Sequence, residues 1–209
     1  MFKKSIWKYI GKVLIGLSIL FIFPILVALI YHESVLPFFI ASIISLVLGL
    51  LLNELKVEDA KLYTRDGLLI VALSWIVMSI IGTIPFCLSG SCNFIDALFE
   101  TVSGFTTTGA TIFNDVEVLN KSILFYRSFT HFIGGMGILT FVMAIIPLTK
   151  KDNSMHVLKA EMPGPSVSKL VPSTKKTLFY LYSIYIGLTV SEMILLLIGG
   201  MPFFDSLVI

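Results

Sequence analysis

Residues 101–111 read TVSGFTTTGAT and lie between long apolar segments of the chain. Five threonines, a serine and two glycines do not favour a transmembrane helix. An ordinary surface loop has no need of three consecutive threonines followed by glycine. The residues leading in, NFIDALFETVSGF at 93–105, read as a short helix. Asn93 suits the N-cap, Asp96 is an acidic first-turn residue, and Phe94, Ala97, Leu98 and Thr101 or Val102 recur at a rough three-and-four spacing. About ten residues at 1.5 Å each give ~15 Å, half a bilayer. Such a helix enters a membrane without crossing it.

A half-crossing has to turn round, and non-helical backbone at membrane depth survives only when it is buried in protein or lines a watery cavity. In that setting TTTGAT has a physical purpose. Small residues allow an extended path, Gly109 takes backbone angles denied to other residues, and carbonyls without partners can face an ion. Threonine hydroxyls add oxygens, and the short helix aims the negative end of its dipole at the same place. The stretch therefore reads as an ion-selectivity filter. The alternative is a Thr- and Gly-rich loop on the outer surface. Against it stand the apolar helix that leads in and the lack of charge until Asp115 and Glu117.

The whole composition agrees with a membrane setting: 56% hydrophobic residues, 13% charged and a mean hydropathy of +0.97 lie outside the range of a soluble domain. Five segments are long enough to cross, at 13–31, 35–52, 67–88, 123–148 and 178–200. The expected fold is all-α and membrane-integral, with about five transmembrane helices plus a re-entrant pore helix and filter loop. Lys3, Lys4, Lys8 and Lys12 precede the first segment, which is long and lacks a small-residue cleavage pattern, so it reads as a retained anchor. With the N-terminus in the cytoplasm, thirteen of the fifteen lysines and arginines fall inside. Glu33, Asp96, Glu100, Asp115, Glu117 and Asp205 then fall on or near the outside, an acidic face that concentrates cations. A net charge of +2 with scattered lysines gives no nucleic-acid footprint.

Several residues carry two readings. Cys87 and Cys92 lie where the third segment reaches the outer surface, as a disulfide pair or as two small apolar fillers. Arg127 and His131 share a face of the fourth segment, and Glu192 lies at a depth similar to His131 in the fifth. Ionisable groups at such depth are usually paired or face water, so Glu192 is expected to pair with His131 or Arg127; the alternative for Arg127 is snorkelling. Gly134, Gly135 and Gly137 suit close helix packing, or a flexible point for gating. His32, His131 and His156 lie in three different regions, which gives no metal-ligand spacing. The lysine-rich link 149–176 carries a PGP turn and reads as a cytoplasmic connection. No glycine-rich phosphate loop follows a strand, so no nucleotide site or other cofactor is expected.

Four stretches together resemble a known family: ALFETVSGFTTTGAT (97–111), FYRSFTHFIGGMGILTFVMAIIPL (125–148), AEMPGP (160–165) and YIGLTVSEMILLLIGGMPFFDSL (185–207). They are similar to the TrkH/KtrB potassium-uptake proteins of the Trk/Ktr/HKT superfamily. The resemblance implies four successive helix–pore loop–helix units around one potassium pathway. Thr106, Thr107, Thr108, Gly109 and Ala110 would form the first of four filter strands, with potassium held by carbonyls of Thr107, Thr108 and Gly109. It divides the chain into an N-terminal helix pair (1–60), a first unit (61–150), and a linker with the start of a second unit (151–209). Independently, FIDAL at 94–98 recurs as FFDSL at 203–207, each after a long apolar helix and a Gly-containing turn. The family likeness breaks off inside that second pore helix, so the chain is expected to be a fragment of a longer protein.

By the same resemblance the partners are the lipid bilayer, a second copy in a homodimer and a cytoplasmic nucleotide-binding subunit of the TrkA/KtrA type. The implied function is potassium uptake across the plasma membrane, without enzyme chemistry. The alternatives are a non-conducting assembly or scaffold subunit, and an intramembrane enzyme using Ser128, His131 or Glu192.

Overall fold

The computed structural model describes residues 4–55, 64–135, 137 and 174–209, and every regular element among them is helical. The first apolar segment forms a longer helix than hydropathy suggested. It runs Lys4–Ile30 as α1 (Lys4–Leu20) and α2 (Ile22–Ile30), about 40 Å in all. Lys4, Lys8 and Lys12 are thus helical residues, and the Lys12 ammonium lies 5.3 Å over the Tyr9 ring. The seam at Phe21 follows from Pro24, which has no N–H to offer the Leu20 carbonyl. Hydrogen bonds of 3.2 Å from Phe21 N to Leu17 O and from Ile25 N to Phe21 O carry the helix across it.

Helix α3 (Leu36–Asn53) returns antiparallel to α1 in backbone contact. A Cβ on Gly11 would stand 2.8 Å from the Gly49 carbonyl, and one on Gly49 2.9 Å from the Gly11 carbonyl. Along the same seam Ser45 Oγ donates to Leu14 O at 2.8 Å and Ser42 Oγ to Ser18 O at 2.9 Å. Small residues let the backbones approach, and hydroxyls then satisfy spare carbonyl lone pairs across the interface.

Helix α4 (Thr64–Leu88) crosses next, followed by the short α5 (Phe94–Phe105) and by α6 (Lys121–Gly135). Helix α7 (Thr174–Ile198) and a second short helix, α8 (Phe203–Val208), follow. Among the described residues four helical stretches are long and apolar enough to cross a membrane: Lys4–Ile30, Leu36–Asn53, Asp66–Leu88 and Phe179–Ile198. The expected fourth crossing is described only as α6, ending at Gly135; the link 149–173 and the AEMPGP motif lie outside the described residues.

The helix pair and the later helices share one core, centred on Tyr126 of α6. Its ring packs 5.8 Å from Phe21, 5.7 Å from Phe38 and 5.3 Å from Phe86, and its hydroxyl donates to Gly82 O at 3.0 Å. A second tie joins residue 33 to residues 121 and 122. Glu33 accepts from the backbone N–H groups of Lys121 and Ser122, both at 2.8 Å, and from Ser122 Oγ at 2.5 Å. A carboxylate from the α2–α3 turn therefore caps α6, satisfying two of its orphan donors and complementing its dipole.

The repeat seen in sequence has a structural counterpart. α4 ends in a turn with Gly90 at φ +73°, closed by Gly90 N to Cys87 O and Ser91 N to Phe86 O; α7 ends likewise with Gly200 at φ +89°, closed by Gly200 N to Leu197 O and Met201 N to Leu196 O. Each turn feeds a short helix bearing an acidic residue in its first turn, Asp96 or Asp205.

Two substitutions test these ties. Gly49→Leu forces backbone apart at the α1–α3 seam and is expected to cost at least ~2 kcal/mol. Glu33→Ala strips α6 of its cap and is expected to cost ~1–3 kcal/mol. Thermal unfolding in detergent should fall by several degrees for each, and unchanged midpoints would show that neither contact holds the helices together.

Candidate functional site

Helix α5 is built to stop half-way. Asn93 caps it, its side-chain oxygen accepting from Ile95 N at 3.0 Å and Asp96 N at 3.1 Å, and twelve residues give a rise of ~18 Å. The helix closes at Phe105 with a Schellman turn, in which Thr107 N donates to Gly104 O and Thr108 N to Ser103 O, both at 2.9 Å. Thr107 occupies the left-handed position of that turn at φ +55°, where glycine is usual and a β-branched residue is strained.

From there residues 106–110 run exposed, latched at both ends and open in the middle. At one end Thr106 Oγ1 donates to Val102 O at 2.7 Å, and Thr106 O accepts from Thr107 Oγ1 at 2.7 Å. At the other, Ala110 O accepts from Ser103 Oγ at 2.6 Å, which turns that carbonyl back toward α5. Between them the carbonyls of Thr107, Thr108 and Gly109 have no hydrogen-bond partner among the described residues. Gly109 sits at φ +77° with nothing within 4 Å of where a Cβ would be, so a side chain there meets open space but a forbidden backbone angle. The sequence grouped five residues as one strand; the geometry separates two latches from three free carbonyls.

Behind this strand lies Glu100, 1% exposed and therefore no part of an outer acidic surface. One carboxylate oxygen accepts from Thr111 Oγ1 at 2.5 Å and from Ile112 N at 2.7 Å; the other accepts from Arg127 Nε at 3.1 Å. The expected pairing of Arg127 with Glu192 is thereby corrected. Glu100 lies six residues into α5 and Arg127 six into α6, so both reach ~9 Å in from the same side, on facing helices. Sequence reasoning missed Glu100 as a site residue. Its signal was an acid beyond the first turn of an apolar half-helix, at a depth similar to an arginine of the next helix.

His131 directs Nδ1 to Arg127 O at 3.0 Å, its own helix. His131 and Glu192 nonetheless line one cavity of about 340 Å³ between α6, α7 and the end of α8, together with Ser128 and Thr189. No hydrogen bond or salt bridge joins His131 to Glu192 among the described residues.

The acidic face expected from the sequence is smaller in the structure. Glu33 is occupied by α6, Asp96 accepts from Asn93 Nδ2 at 2.6 Å, and Asp205 lies 4.0 Å from Lys121 Nζ. Asp115 and Glu117 remain exposed in the loop after the strand. Of the GGMG glycines, Gly134 packs against the backbone of Phe105 at the C-terminal end of α5 and Gly135 against the Tyr185 hydroxyl of α7, so both serve close packing. Cys87 and Cys92 are free thiols, half-buried against the core. Burial first, then the neighbouring Cys87, Asp96 and Glu100, pushes the Cys92 thiol up to about 11.

A capped half-helix that returns through a strand with free carbonyls, held between long apolar helices, defines a pore-loop membrane protein. Residues 34–202 match the family described as "TrkH: Cation transport protein", and the chain belongs to that family. It is 39% identical over 88% of its length to the Trk system potassium uptake protein TrkG of Escherichia coli K12, covering 39% of that protein. It is 38% identical over 98% of its length to the Trk system potassium uptake protein TrkH of Salmonella typhimurium, covering 43% of it. The fold matches the crystal structure of the potassium transporter TrkH from Vibrio parahaemolyticus with a TM-score of 0.78 at 32% identity, over 98% of this chain and 41% of that one. The chain thus spans about two fifths of the length of these relatives.

A thiol with so high a pKa is a poor nucleophile at neutral pH. Iodoacetamide labelling of Cys92 in a Cys87→Ser background should be slow at pH 7.5 and accelerate as pH rises above 9. Labelling at pH 7.5 as fast as a free thiol would show that Cys92 is neither buried nor electrostatically disfavoured.

Proposed function

We propose that this chain forms part of the pore of a potassium-uptake transporter, contributing one of four pore loops to a shared filter. The observation that carries the proposal is the run of three carbonyls at Thr107, Thr108 and Gly109, unpartnered among the described residues in an exposed stretch just after the negative end of α5. Carbonyls so placed replace the hydration shell of a monovalent cation, and fourfold repetition of the loop encircles the ion. The names of the relatives, potassium-uptake proteins, support potassium as that ion. Asp115 and Glu117 draw cations to the outer mouth. With the N-terminus in the cytoplasm, the membrane potential drives each ion inward by about 2.3 kcal/mol per 100 mV.

In this reading residues 1–60 are an accessory pair, 61–150 the first unit, and 151–209 the linker and start of the second. The tie from Glu33 to α6 supports a pair that braces the first unit. A homodimer and a cytoplasmic nucleotide-binding subunit that gates the pore complete the assembly. The exposed apolar surface of α7, including Ile184, Leu188 and Leu195, suits lipid or neighbouring helices of such an assembly.

The test is growth of a potassium-uptake-deficient bacterium at low external potassium, using the complete gene with and without Gly109→Ser. Holding a side chain at φ +77° costs about 1–2 kcal/mol and displaces the adjoining carbonyls. Rescue by the native gene that is lost with the serine is expected. Rescue that survives the change, or none from a well-expressed native protein, would overturn the proposal.

A further inference from the structure

We infer that Glu100 is a positioning residue for the filter strand, and that its pairing with Arg127 sets how sharply the pore discriminates between cations. The inference rests on the filter reading above. A strand whose inner carbonyls are left free for an ion cannot be fixed by those same carbonyls, so its position has to come from elsewhere. The polar ties on its far side supply it. Ser103 Oγ holds Ala110 O, and one oxygen of Glu100 holds both Thr111 Oγ1 and Ile112 N.

Glu100 is itself fixed. Its side chain is fully buried, α5 fixes its backbone, and Arg127 Nε neutralises its second oxygen at 3.1 Å from the neighbouring helix. Arg127 is 15% exposed at its side chain, so the pair is shielded from water and its hydrogen bonds are charge-assisted. Discrimination between ions of similar charge depends on the spacing and stiffness of the oxygens around them. Loosening this anchor changes spacing and stiffness without removing a single filter carbonyl.

Two variants separate positioning from plain structural support. Glu100→Gln keeps the shape and removes the charge. Glu100→Asp keeps the charge for Arg127 but draws the carboxylate back from Ile112 N by one methylene. The protein from the complete gene is reconstituted in lipid bilayers, and its reversal potential is measured with potassium on one side and sodium on the other, beside Gly109→Ser. Both Glu100 variants, monodisperse on size exclusion, should lower the potassium-to-sodium permeability ratio by at least about tenfold while potassium current persists. An unchanged ratio in both, or failure of both to yield folded protein, would overturn the inference and leave the pair a structural one. A native protein without potassium selectivity, or with selectivity indifferent to Gly109→Ser, would instead sink the filter reading on which it rests.

Discussion

Backbone amides and carbonyls at membrane depth have no bulk water to satisfy them, and the structure around α5 is organised by that constraint. The half-helix uses its own Schellman turn for two donors, and serine and threonine hydroxyls for Val102, Thr106 and Ala110 carbonyls. Glu100 takes the Ile112 N–H. Among the described residues the carbonyls of Thr107, Thr108 and Gly109 are left without a partner, as are the N–H groups of Gly109, Ala110 and Thr111. Such a remainder is costly unless something polar meets it, and for the carbonyls that is the part proposed for the cation.

The surrounding helices hold this arrangement in place from several directions. Thr101 of α5 hydrogen-bonds to Ser79 O of α4 at 3.1 Å, while Gly104 lies against Thr130 and Gly134 against Phe105. Glu33 fixes where α6 begins, and α6 carries both Tyr126, at the centre of the core, and Arg127, behind the strand. The N-terminal helices thus bear on residues 106–112 through one helix. A chain in which each of these contacts is small at α4–α5, α5–α6 and α1–α3 packs tightly without needing a hydrophobic drive between helices.

Much of this was legible in the sequence, and what was not has a common cause. Asn93 as the cap, the end of α5 at Phe105 and the demand for glycine at 109 are local matters of spacing and backbone angle, and all three hold. The first helix began nine residues early because lysines lower hydropathy without breaking a helix. Contacts across 27 or 89 residues, Arg127 with Glu100 and Ser122 with Glu33, were out of reach. Depth along a helix can be counted from sequence, and Glu192 does line a cavity with His131. The rotation of each helix about its axis decides which residue at that level is faced, and a single sequence does not specify it.

The most direct measurement is anomalous scattering from rubidium in crystals of the protein from the complete gene. A rubidium peak within coordination distance of the Thr107, Thr108 and Gly109 carbonyls, absent from the Ala110 carbonyl that Ser103 holds, is the result expected. Rubidium bound elsewhere along a demonstrably conducting pore, with those three carbonyls bonded to protein, would contradict the account.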